Sequence, residues 1–215
     1  MKYIFSIFFT LTLLSFSVNK THAQSTEATI QADANLITDV SVDATQEIDF
    51  GIIIQDSKKT IDPLDNSASD DGGNVTGLIG SENRGYFTLD GTGGTNVDLQ
   101  LVTPGSLEDP GGNSLDVIFG SQSTNVLQAI VTDTEPTESE SVSAISNGDG
   151  ISGNDFSCQE DFITKNLTCL TTNSIQLPQD TGIVYVVVGG EVTASDTQNV
   201  ATYSGDITLT ATIVN

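Results

Sequence analysis

Cys158 and Cys169 are the only cysteines of the 215-residue chain and stand eleven positions apart. In an oxidising compartment such a pair most simply closes a local ring as a disulfide. The loop-entropy relation assigns a ring of that size about 3 kcal/mol. Zinc is the other use of paired thiols. It asks for four ligands, and the chain offers no second cysteine pair and no histidine except His22. Carboxylates are the abundant group, with 29 Asp and Glu residues. Two clusters place them on glycine-bearing stretches, residues 65–74 (DNSASDDGGN) and 147–155 (NGDGISGND). Calcium takes hard oxygen donors from such loops, which makes Asp70, Asp71, Asp149 and Asp155 candidate ligands. Neither cluster carries the glutamate that closes an EF-hand loop at its twelfth position. Solvated turns are the competing reading, and no cofactor is expected.

Catalytic patterns are sparse. Asp180-Thr181-Gly182 matches the string that aspartic proteases present, but that chemistry needs two carboxylates sharing one proton. The preceding Leu177-Pro178-Gln179 reads as a turn before a strand. A serine triad lacks its base, and G-x-S-x-G does not occur. Paired-carboxylate glycosidase chemistry has acids in plenty. The material for a sugar-stacking cleft is thin, however, with no tryptophan and few aromatics. Asn74-Val75-Thr76 and Asn166-Leu167-Thr168 fit the glycosylation acceptor pattern. The expectation is a protein that is not an enzyme, with no identifiable small-molecule substrate.

The chain opens with Lys2 and an uncharged apolar run, residues 3–18 (YIFSIFFTLTLLSFSV). The run falls short of the roughly 20 residues that span a bilayer. It is followed by Thr21-His22-Ala23 and Gln24, the small-residue exit of an export signal. Residues 1–23 are therefore expected to be a signal peptide cleaved near Ala23-Gln24, with residues 24–215 a single exported domain. A retained anchor is the alternative. Cleavage removes His22, Lys2 and Lys20, leaving Lys58, Lys59, Arg84 and Lys165 against 29 acids, a net charge of −25. Such a field repels nucleic acid and anionic membranes. Expected partners are other cell-surface proteins or copies of the chain itself, with no membrane insertion after export.

Periodicity then indicates what must position these groups. Ile207, Leu209, Ala211 and Ile213 alternate with threonines, and Ala28, Ile30, Ala32, Ala34 and Leu36 alternate with polar residues. A period of two is that of a half-buried strand. The N-terminal run reads as the first strand of the domain's own sheet; a strand lent to a neighbour is the alternative. Residues 183–188 (IVYVVV) form a denser run, as for a strand covered on both faces. Glycine pairs at 72–73, 93–94, 111–112 and 189–190 punctuate the runs, and no window shows a capped amphipathic helix. Many short strands between turn signals predict an all-β sandwich or barrel. Residues 56–73 read as a polar loop carrying the lysine pair. Residues 133–172 read as a long loop insertion that opens on an acidic run and holds both cysteines, so that the disulfide would stiffen the insertion more than the core.

Five phrases in order resemble the secreted bacterial β-sandwich family called domain of unknown function 4402, which is pilin-like in character. They are Ile48-Asp49-Phe50-Gly51, the run from Gly85 through Phe87 to Gly91, Val97 to Pro104, Val188-Gly189-Gly190-Glu191-Val192, and Tyr203-Ser204-Gly205 leading into the last strand. The region 121–173 is longer than the family pattern. The resemblance implies an immunoglobulin-like, pilin-like antiparallel sandwich with a surface or fimbria-like structural role, and it carries over no catalytic residue. Read physically, Gly85, Gly91 and Gly205 fall at strand ends, while Phe50, Phe87 and Tyr203 fill the core between sheets. The expected function is a secreted structural or adhesive module. A secreted module binding calcium or carbohydrate is the alternative.

Overall fold

The computed structural model describes residues 39–71, 82–121, 126–127, 129–137, 141, 156–161 and 163–214. Residues 1–23, expected to be a signal peptide, the alternating run 28–36, the sequon at Asn74, and the calcium candidates Asp149 and Asp155 lie outside the described residues, as does much of the acidic part of the insertion.

Every element among the described residues is a strand or an irregular connection. In chain order the strands are β1 (Val40–Gln46), β2 (Ser57–Ile61), β3 (Ala68–Asp71), β4 (Gly85–Gly91), β5 (Asn96–Thr103) and β6 (Ser106–Glu108). There follow β7 (Ser114–Ile118), β8 (Gly120–Ser121), β9 (Val126–Leu127), β10 (Ala129–Thr132), β11 (Phe156–Glu160) and β12 (Leu167–Thr171). The last four are β13 (Ile175–Gln176), β14 (Ile183–Val188), β15 (Gly190–Ala194) and β16 (Thr208–Val214).

One sheet runs β1-β4-β14-β10 and a second β3-β2-β15-β7-β6; a third is built around β5, with β8 and β9 forming a separate pair. β16 pairs with β5 along residues 96–102, while β12 and β13 share its other edge. All pairings are antiparallel. The fold is the expected antiparallel β-sandwich.

Alternation accounts for the packing. On β5 the residues Val97, Leu99 and Leu101 are buried and their neighbours are not, and β7 repeats the pattern with Leu115 and Val117. These residues join Leu89, Val184, Val186, Val188, Val192 and Leu209 in one continuous core drawn from the three large sheets. At about 25 cal/mol per Å² of apolar surface, each such side chain contributes roughly 2 kcal/mol. β14 is covered on its second face as well. There Val187 packs with Ile130 and Tyr86, and the Tyr86 and Tyr185 rings meet edge to face at 6.1 Å. Burial pushes both phenols above their ordinary range.

The chain changes sheets at Gly189-Gly190. β14 ends at Val188 in the first sheet, and β15 begins at Gly190 in the second. A Cβ on Gly189 would lie 2.3 Å from the Ile61 carbonyl oxygen and 2.5 Å from Pro63 Cδ. Only glycine permits that approach.

Two stretches read as loops contain strands. The lysine pair lies on β2, between β3 and β15. The insertion ends in the β11–β12 hairpin, whose second strand joins β5. Cys158 and Cys169 are cross-strand partners in that hairpin and form the disulfide. Cys169 is fully buried in the core. The bridge therefore ties a sheet rather than stiffening a detached loop. Composition misled here, because the solvent face of an antiparallel strand is polar too.

Candidate functional site

Between β1 and β2 the chain runs irregularly through residues 47–56, and between β15 and β16 through 195–207. The two segments flank a groove of about 1010 Å³. Its lining reaches down to the edge of the core at Phe50, Leu107, Leu115, Phe119 and Val188, which are buried, and includes the half-buried Phe87. Ile52 on one wall is 53% exposed and Val200 on the other 98%. β1 reaches the groove with Ala44 and Gln46; it pairs with β4 on one side and with no other strand among the described residues.

The first wall is built by local chemistry. Asp49 and Asn83 exchange two backbone hydrogen bonds of 2.9 Å, an isolated bridge that continues the direction of β4. The Gly51 amide donates to Asp49 Oδ1 at 2.7 Å, and Gly51 has φ 63°. A side-chain acceptor two residues back plus a left-handed glycine make a tight turn. That turn aims Phe50 into the core, where it packs against Phe119 at 6.3 Å. From behind, Lys59 Nζ donates to the Ile52 carbonyl at 2.8 Å and to Glu82 Oε1 at 2.7 Å. Lys59 is 2% exposed.

The second wall hangs on Gln198 and Tyr203. Tyr203 Oη donates to the Asn199 carbonyl at 2.8 Å and accepts from Gln198 Nε2 at 2.8 Å. A tyrosine bonded to backbone a few residues upstream is the corner device of Greek-key sandwiches. Gln198 Nε2 also donates to the Ser114 carbonyl, and Gln55 Nε2 donates to the Gln198 carbonyl, linking the walls. A bridge between Ser204 and Glu108 fixes the far end.

Phe50, Phe87 and Tyr203, expected in the core, Gly85 and Gly205, expected at strand ends, and Gly51 of the first family-like phrase all line this one groove. Gly190 lies beneath it against Phe119 and Phe50. Gly91 and Gly189 sit elsewhere, Gly91 against Val40 and Leu177. Sequence reasoning missed Ile52, Val200, Gln198 and the staple Lys59. The run Ile52-Ile53-Ile54 after a turn glycine is the one signal that marks the wall.

The groove carries acids and no base. Glu47, Asp49 and Asp206 line it, and among the described residues no lysine, arginine or histidine does. Asp70 and Asp71 lie on β3 rather than on a turn, in register with Lys59 and Lys58. Away from the groove, three aspartates organise turns. Hydrogen bonds from Ser67, Asn113 and the Thr164 amide hold Asp65, Asp109 and Asp161 respectively below the ordinary carboxylate value. Arg84, 1% exposed, donates to the carbonyls of Pro63, Leu64 and Thr137, and burial lowers its pKa.

Comparison of the chain with protein-family models, curated proteins and solved structures finds no match.

Proposed function

We propose that the chain is an exported, non-catalytic module of the cell surface, structural or adhesive in the manner of a fimbrial subunit, and that the groove is its working surface. One observation carries this reading. Phe50, Gly51, Gly85, Phe87, Tyr203 and Gly205 line one open groove between two walls, with Ile52 and Val200 exposed along it. A concave, mostly apolar groove with a few polar groups on its lining is the default place to look for a binding site. The leader, the disulfide and the acidic surface agree with export, and the order of the motif phrases agrees with the pilin-like resemblance.

The test is a groove variant. Ile52→Ser with Val200→Ser changes only exposed side chains, so the melting temperature should stay within a few degrees. Self-association of the purified protein, or adhesion of cells carrying it, should fall at least tenfold. Unchanged adhesion and association, or protein retained inside fractionated cells, would overturn the reading.

A further inference from the structure

We propose that the groove docks an extended cationic segment of another protein, in which Lys or Arg alternates with aliphatic residues. This names the partner of the working surface proposed above and rests on that reading. A strand-like segment fits because β1, which pairs only with β4 among the described residues, borders the groove with Ala44 and Gln46. Adding a strand to a sheet edge supplies backbone hydrogen bonds and places alternate side chains on opposite faces. One face of the incoming segment then meets the half-buried Ile48, Ile53 and Phe87. The other meets the exposed rim carboxylates Glu47 and Asp206.

Charge selects the sign of the partner. Outside the leader the chain has four basic residues. Lys59 and Arg84 are buried, while Lys58 and Lys165 pair with Glu191 and Glu160 at 2.7 and 3.2 Å. Little cationic surface competes with an incoming lysine or arginine, and the overall field draws cations in. A second copy of the chain is the poorer occupant, since it brings its own excess of acids against the same rim.

The experiment is titration of the purified protein with synthetic octapeptides, each spanning about 26 Å when extended. One alternates Lys and Val, one has the same residues in two blocks, and one carries Glu in place of Lys. The alternating peptide should bind at least tenfold more tightly than the block peptide, and the Glu peptide should not bind. Glu47→Gln with Asp206→Asn should weaken binding about tenfold at low salt, an effect that shrinks as salt rises. Ile52→Ser with Val200→Ser should weaken it at any salt. Equal binding of the alternating and block peptides would reduce the effect to diffuse attraction and overturn the proposal. So would indifference to both variants, or self-association through the groove without peptide binding, which assigns the site to a second copy. Peptide binding by a protein that cell fractionation places inside the cell would sink the export reading alone. A surface protein with adhesion but no peptide selectivity would sink this proposal alone.

Discussion

Replacing Cys158 and Cys169 together by alanine removes the chain's one disulfide, and the position of that bridge decides how far the damage spreads. The cysteines face each other in the β11–β12 ladder with a sequence separation of 11. The loop-entropy relation gives about 3 kcal/mol for closing a ring of that length. A bridge confined to a detached loop would stabilise that loop alone. Here β12 pairs with β5 along residues 167–170, and Cys169 is buried beside the core. β5 also carries β16 and β13. Loosening the hairpin therefore exposes the central strand of a sheet. Alanine is chosen over serine to avoid burying an unpaired hydroxyl. For a domain of 150–250 residues each kcal/mol shifts the melting temperature by about 2–4 °C, so the expected fall is roughly 6–12 °C. Calorimetry and denaturant titration of the oxidised protein and the double variant provide the measurement. A variant with an unchanged melting temperature and a new protease cut confined to residues 156–171 would refute the coupling.

Lys59→Met strips Glu82 of its buried cation and the Ile52 carbonyl of its donor, and should cost about 3 kcal/mol. Adding Glu82→Gln should recover part of that, as denaturant titration of both variants would measure. Gly189→Ala forces a Cβ into backbone atoms where the chain changes sheets, so urea unfolding should report a loss of about 3 kcal/mol. For pH, Asp65, Asp109 and Asp161 have folded pKa values below the ordinary 3.8. Their ionised forms favour the fold, so their contribution is present above that value and is lost as pH falls through the depressed ones. Melting temperature measured from pH 7 to 2 should hold near neutrality and decline below about pH 4, with a shallower acid limb in Asp109→Asn. Tyr86 and Tyr185 act at the other end, because their raised pKa values favour the fold below pH 10 and the benefit fades as pH rises beyond it.

The strands that sequence made legible are those whose alternation coincides with one buried face. Leu209, Ala211 and Ile213 on β16, and Val97, Leu99 and Leu101 on β5, could be read from period alone because each turns the same side to the core. β2 and β11 could not. SKKTI and FSCQE each carry only two residues that mark a core face. What makes β2 a strand is β15, far away in sequence, and what makes β11 one is its hairpin partner β12, itself docked on β5. The groove was legible in its parts and not as a whole. Phe50, Gly85 and Gly205 announce a turn, a strand end and a close approach, but no period connects positions more than 150 residues apart in irregular walls.

Those walls also explain why so acidic a chain buries two of its few cations. A strand turns successive residues to opposite faces, so of the adjacent pair Lys58 and Lys59 one must face inward; Lys59 does so on the same face as buried Ile61. Its four-carbon stem packs as apolar material while its charge reaches the Ile52 carbonyl and Glu82. Arg84, just before β4, reaches residues 63, 64 and 137 in the same way. Both side chains tie irregular segments to the sheets at points where ladder hydrogen bonds are not the fastening. Buried pairs of this kind are screened far less by salt than surface pairs. The shape of the first wall should therefore persist at ionic strengths that weaken any charge-guided approach to its rim. Salt would then separate fastening behind the groove from the charge-guided docking proposed at its rim.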